Sequence, residues 1–240
     1  MFPQMGQTRF NEAVLINTAG GVAGGDRLAT DVTAHDGACM TVTSQTAERI
    51  YRALDEPARI STVLTVCRSA KLAWCPQETI VFDRARVRRQ THIAVSSGAE
   101  VLALEWMVLG RAARGERVAS GELVDSWRVE KDGRLVWADS LRITDDLFPH
   151  IHRSALLADC TAVATLVFCG TDLEQRLQCL RDSIVSLTCH AAATRVGGVI
   201  IARLAATAPS TLRAGLRTVL EQFDHAWRPG PFGVPKMWSC

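Results

Sequence analysis

At 240 residues, with 48% hydrophobic and 22% charged side chains, the chain has the balance of an ordinary globular protein and the length of one large domain or two small ones. Its 27 Lys and Arg residues against 25 Asp and Glu leave a net charge of +2. That charge gives no electrostatic case for a nucleic-acid partner or an anionic membrane surface, and no apolar run reaches the length of a bilayer-spanning helix.

Strand signals dominate the first two thirds. ATDVTA (29–34), CMTVTS (39–44), STVLTV (61–66) and TIVF (79–82) are rich in β-branched residues and are separated by Gly, Asp or Pro. VLALEWMVLG (101–110) is apolar on both faces, which predicts a fully buried strand. WRVEKDGRLVW (127–137) predicts a hairpin. Asp132 and Gly133 supply the positive-φ pair of a type I′ turn, and Trp127 and Val129 face Leu135 and Trp137 across it.

The last third predicts two helices around one strand. Thr171 and Glu174 have the spacing of a capping box, and Leu173, Leu177, Leu180, Ile184 and Leu187 follow at helical spacing. GVIIARL (198–204) reads as a strand. After Pro209, residues Leu212, Leu216, Val219, Leu220, Phe223 and Trp227 mark a second amphipathic helix. No internal repeat or low-complexity linker is visible, so the expectation is a single unit over 1–240: a large β assembly with two late helices.

The eight cysteines, Cys39, Cys67, Cys75, Cys160, Cys169, Cys179, Cys189 and Cys240, lie largely in apolar stretches without CxxC spacing. The opening MFPQMGQTRF has no apolar core of a secretory signal. Free, mostly buried thiols in a reducing, cytoplasmic setting are expected.

Two places carry candidate chemistry. In AGGVAGGDRL (19–28), four glycines permit positive φ and close backbone approach. Without GxxxxGK[ST], and with strand-like sequence following, the loop predicts a tight turn in which Asp26 bonds backbone amides, rather than a phosphate cradle. Glu105 sits among Leu104, Trp106, Met107 and Val108. A carboxylate there is desolvated and must be paired, protonated or wetted by a cavity. A salt bridge to Arg111 or Arg114 and a place on an internal polar channel both remain open.

His150 and His152 would share one face of a strand and form a candidate metal pair. His190, beside Cys189, is a weaker candidate. Neither HExxH nor GxSxG occurs, which favours a binding protein over an enzyme. A hydrolytic enzyme using Asp26 and Glu105 as a carboxylate pair would need both open to one substrate-sized pocket. A β-rich interaction module without a metal role is the other alternative.

The order of segments is more specific than any one motif. EAVLINTAGGVAGGDRL (12–28), TVTSQTAERIYRA (41–53), LAWCPQETIVFDRA (72–85), EWMVLGRAARGE (105–116), WRVEKDGRLVWAD (127–139) and PKMWSC (235–240) together resemble the UreD family, also called UreH, of urease accessory proteins. The resemblance implies a mainly β fold of two stacked sheets in a helical-ribbon arrangement with a small helical part. It implies a non-catalytic scaffold that binds UreF and, through it, the GTPase UreG, docks on apo-urease and passes Ni²⁺ along an internal acidic passage. Asp26 and Glu105 fall where passage residues would sit. No permanently bound cofactor is implied, only Ni²⁺ in transit. Partner contact is expected in the C-terminal third, through Leu212, Leu216, Phe223 and Trp227. The family's leading strand-forming stretch is largely missing before Glu12, which predicts an open sheet edge and poor solubility of the chain alone.

Overall fold

The computed structural model describes residues 2–4, 11–111, 114–227 and 234–239. Its strands are laid down alternately on two sheets. β2 (Asn11–Leu15), β4 (Cys39–Ser44), β7 (Lys71–Trp74) and β10 (Glu100–Leu109) pair in parallel on the first. β3 (Arg27–Ala34), β6 (Ala58–Val66), β9 (Arg86–Val95) and β11 (Glu122–Lys131) do so on the second.

Each circuit of the chain therefore adds one rung to both sheets. Ala13 pairs with Val42, Val42 with Trp74 and Trp74 with Ala103. Opposite them Thr30 pairs with Thr62, Thr62 with Thr91 and Thr91 with Trp127. The turns between sheets stack as well: the amides of Gly37, Lys71 and Glu100 donate to Arg68, Ala38 and Ala70. This is the helical ribbon expected of the fold, although no sequence repeat announces it.

Antiparallel strands complete the sheets. β1 (Phe2–Gln4) adds to β2, and β12 (Arg134–Ile143) adds to β11. Beyond β10 lie β13 (Ala162–Cys169), β15 (Val199–Ala206) and β14 (His190–Val196). Two short strands, β5 (Glu48–Ile50) and β8 (Thr79–Val81), pair with each other, and β8 also pairs with β10.

Period-2 alternation on the second sheet builds the inter-sheet core. Leu64, Ile93, Val95 and Val129 meet Val42, Leu72, Val101 and Ala103 of the first sheet. The other face of the first sheet is covered by α1 (Leu173–Val185) and α2 (Pro209–Trp227). All ten residues of β10 are buried for that reason, its even-numbered side chains Leu102, Leu104, Trp106 and Val108 lying in the helix-covered cluster. Each large apolar side chain buried there contributes about 1.5–3 kcal/mol.

Three expectations are corrected in detail. The Asp132-Gly133 turn has φ of 50° and 73°, as a type I′ turn requires. A bulge between Val129 and Glu130 then shifts the register, so that Val129 opposes Trp137 while Leu135 opposes Glu130 and is 49% exposed. Thr171 and Glu174 do not form a capping box. Asp172 is the N-cap, without a side-chain cap bond, and the Thr171 hydroxyl donates instead to Glu100 at 2.8 Å. Leu187 lies beyond the end of α1 but still packs on the core. Among the described residues, no helix is long and apolar enough to cross a membrane.

Candidate functional site

The alternation of β9 decides what enters the space between the sheets. Val87, Arg89, Thr91, Ile93 and Val95 are buried, whereas Arg88 and Gln90 are exposed. Arg89 thus occupies an inward position in an otherwise uncharged row. Its register partner on β11 is Asp125, and Glu105 enters from β10 on the opposing sheet. All three side chains are 5–6% exposed.

Every nitrogen of the guanidinium and every oxygen of the two carboxylates has a hydrogen-bond partner. Arg89 Nη1 donates to Glu105 Oε2 at 2.7 Å and to Thr79 Oγ1 at 3.3 Å. Arg89 Nε and Nη2 donate to the two oxygens of Asp125 at 2.8 and 2.9 Å, the bidentate fork that a guanidinium offers a carboxylate. Trp74 Nε1 donates to Glu105 Oε1 at 2.8 Å, and Trp127 Nε1 to Asp125 Oδ2 at 3.4 Å. Desolvating each ion costs several kcal/mol, and only such saturation offsets it.

The network holds two carboxylates against one guanidinium. Burial pushes the Glu105 carboxyl up from its ordinary value; Arg89 and Trp74 oppose that shift, and the charge of Asp125 adds to it. Burial pulls the Arg89 guanidinium down, yet Asp125 and Glu105 outweigh burial and raise it, so it stays charged.

Two cavities meet at this network. The first, about 580 Å³, is lined by Asn17, Glu48, Trp74, Gln77, Arg89 and Glu105 among others, and the Gly20-Gly21 turn forms part of its wall. The second, about 390 Å³, is lined by Glu105, Asp125, Trp127, Asp139, His190 and Arg203 among others. Glu105 lines both. Its partner is Arg89, not Arg111 or Arg114; Arg111 pairs with Glu116.

Asp26 is placed differently. It is exposed, accepts a bond from the Ala23 amide at 2.8 Å and returns its own amide to the Ala23 carbonyl at 3.1 Å. The loop before it is stitched to β5 by Val22 N–H to Arg49 O and Tyr51 N–H to Val22 O. Gly21 has φ of 148°, and a Cβ there would stand 2.6 Å from the Tyr51 ring. Strand β3 follows, so the loop does not open a helix. Asp26 lines neither of the two cavities that Glu105 lines, so neither cavity is open to both carboxylates.

The histidine pair is not formed either. His150 ends a short 3-10 turn, Phe148–His150, and both it and His152 are exposed outside any strand. Among the described residues, no group of three or more His, Cys, Asp and Glu is gathered in metal-binding proximity. Six of the described cysteines, Cys39, Cys67, Cys160, Cys169, Cys179 and Cys189, are free thiols, and Cys240 lies outside the described residues. Leu212, Leu216, Phe223 and Trp227, expected to meet a partner, are 0–1% exposed. The apolar outer face of the first sheet has to be covered, and α2 covers it with this stripe, so these side chains belong to the chain's own core.

Arg89, Asp125 and Trp74 were not singled out in the sequence. The signal was present in the period-2 phase: Arg89 is in step with Val87 and Ile93, and Asp125 with Leu123, Trp127 and Val129.

The molecule is thus a two-sheet β ribbon flanked by helices, with two open cavities between its sheets that share a buried carboxylate. The chain belongs to the UreD family: the family model described as UreD urease accessory protein matches residues 2–239. A urease accessory protein UreD of Rhodopseudomonas palustris (strain BisB18) is 42% identical over 208 residues, covering 87% of this chain and 75% of that protein. Those of Methylobacterium sp. (strain 4-46) and Mesorhizobium japonicum are 40% and 39% identical over 233 residues, covering 95% of this chain and 80% of each.

Proposed function

We propose that the chain is a non-catalytic scaffold and metallochaperone of the cytosol that, with UreF and the GTPase UreG, assists Ni²⁺ insertion into apo-urease. The interior around Glu105 is the passage for the ion, which is cargo rather than a resident cofactor. The observation that carries this reading is the position of Glu105, a buried carboxylate that lines both cavities. Oxygen ligands spaced along a path suit a borderline cation in transit, because a closed thiolate cage would retain it.

Asp26, exposed on the turn before β3, acts at most outside that interior, as an oxygen donor to an incoming ion. Because the inner stripe of α2 is buried, partner contact falls to its outward face, which presents Ala214, Arg217 and Glu221.

The test is co-expression with the urease subunits, UreF and UreG, with nickel content and urea hydrolysis of the purified urease as readouts. Omitting the chain should leave urease poor in nickel; full loading without it would remove the scaffold role. Glu105→Gln should lower nickel content several-fold while the accessory complex still co-purifies. Normal loading by that variant would remove the passage and leave an interaction module. Asp26→Ala serves as the comparison outside the cavities.

A further inference from the structure

We propose that Arg89 is the gate of the passage: its guanidinium, at the end of the first cavity, holds Glu105, the carboxylate that both cavities share, and a divalent cation crosses only when that guanidinium releases Glu105. The inference rests on the passage reading above and adds to it a residue and a movement.

The junction is defined by what lines each side. Arg89 and Glu105 line the first cavity, and Glu105 and Asp125 line the second. The three-residue network therefore stands between them. A cation moving from one side to the other meets a fixed positive charge at the point where it needs Glu105. At short range in a low-dielectric interior that repulsion is large. The closed arrangement is thus a barrier to the very ions that the carboxylates attract.

The bonding also says which member moves. Glu105 is anchored from its other oxygen by the Trp74 indole at 2.8 Å. Asp125 is braced by the Trp127 indole. Arg89 holds Asp125 through two nitrogens and Glu105 through one. Breaking the single bond to Glu105 leaves the bidentate pair intact, so the guanidinium pivots on Asp125 and remains paired throughout. Thr79, already within reach of Nη1 at 3.3 Å, offers a second acceptor on the side of the first cavity.

The charge balance favours exchange. Two carboxylates and one guanidinium sum to one net negative charge. A divalent cation entering beside Glu105 supplies the counter-charge that the departing nitrogen withdraws, so no carboxylate is stranded during the swap. A purely structural pin between sheets would not require its cation to hold the one carboxylate of the network that lines both cavities.

The test is the rate at which urease acquires nickel at limiting Ni²⁺ in cells expressing the complete accessory set. Glu105→Gln, Arg89→Met and Arg89→Lys are compared with the parent, and co-purification with UreF reports an intact complex. Arg89→Met removes the barrier charge at similar length and should load urease faster than the parent. Arg89→Lys keeps the charge but loses the fork on Asp125, and should also load faster, by less. If Arg89→Met fails to co-purify, the Arg89→Lys rate decides. Arg89 variants that load at the parental rate or slower, in an intact complex, overturn the gate. Normal loading by Glu105→Gln instead overturns the passage itself, so the two failures are distinct.

Discussion

Trp227 Nε1 donates a 2.9 Å hydrogen bond to Glu100 Oε2, fastening the last residue of α2 to the first residue of β10. Glu100 also accepts from the Thr171 amide and hydroxyl at 3.1 and 2.8 Å and pairs with Lys71 at 2.8 Å. One carboxylate thus ties together the approach to α1, the end of α2 and the central strand of the first sheet.

This clamp should be acid-labile. Burial raises the Glu100 pKa, but Lys71 and Thr171 outweigh it and hold the carboxyl below its ordinary value of 4.5. A folded value below the unfolded one means that the contribution is fully present above pH 4.5 and is lost as pH falls through the folded value. Trp227→Phe removes one bond to a charged acceptor and should cost about 1.5–3 kcal/mol at neutral pH. Urea unfolding of the complex with UreF between pH 7 and 3 checks both statements. The parent should lose stability relative to Glu100→Gln as pH drops; parallel pH profiles would disprove the clamp.

Glu105→Gln should be tolerated better than loss of its partner. Arg89 keeps both bonds to Asp125 when Glu105 becomes an amide, and the amide oxygen can still accept from Trp74. The expected cost is about 1–3 kcal/mol. Arg89→Ala strands two buried carboxylates and should cost about 3–5 kcal/mol. Denaturant unfolding of both single variants and the double variant gives the coupling energy. Equal costs for the two single variants would show that the network does not have this asymmetry.

Gly121→Ala tests how tightly β11 is set against β9. Gly121 has φ of 139°, and a Cβ there would lie 2.3 Å from the Ala85 carbonyl oxygen. The neighbouring Glu122 amide donates to that same oxygen at 3.0 Å. Backbone strain alone costs about 1–3 kcal/mol, and the clash adds to it. Gly37→Ala, with φ of 68° and nothing within 4 Å, should cost only the strain of its turn. The measurement is the pair of unfolding midpoints; a Gly121→Ala variant no worse than Gly37→Ala would contradict the close approach.

Thiol reactivity should separate native from unfolded protein. Burial raises the pKa of Cys169, and of Cys160 with help from Asp159, so little thiolate forms at neutral pH. Cys75, Cys160 and Cys169 are all buried. A disulfide-exchange reagent at pH 7 should modify these three slowly in the folded protein. All eight cysteines should react promptly after denaturation under exclusion of air. Rapid native labelling of Cys169 would refute its burial.

What the sequence determined is the local and periodic part of the structure. The β-branched runs became strands, the Asp132-Gly133 pair made its turn, and the two leucine-rich stripes became α1 and α2. The oddity of Glu105 was legible because a lone carboxylate in an apolar strand violates the cost of burying charge. Segment order further identified the family, which the model match over 2–239 bears out. Which elements face one another is not a local property. Arg89 and Asp125 come from neighbouring rungs of one sheet and Glu105 from the other, so no sequence window contains their contact. The fate of the α2 stripe was equally non-local. An amphipathic face looks the same in sequence whether it covers a partner or its own sheet, and here the apolar outer face of the first sheet claims it. Side-chain period is a property of each strand alone; pairing, register and layer order are set by burial summed over the whole chain, and the candidate site is built from those.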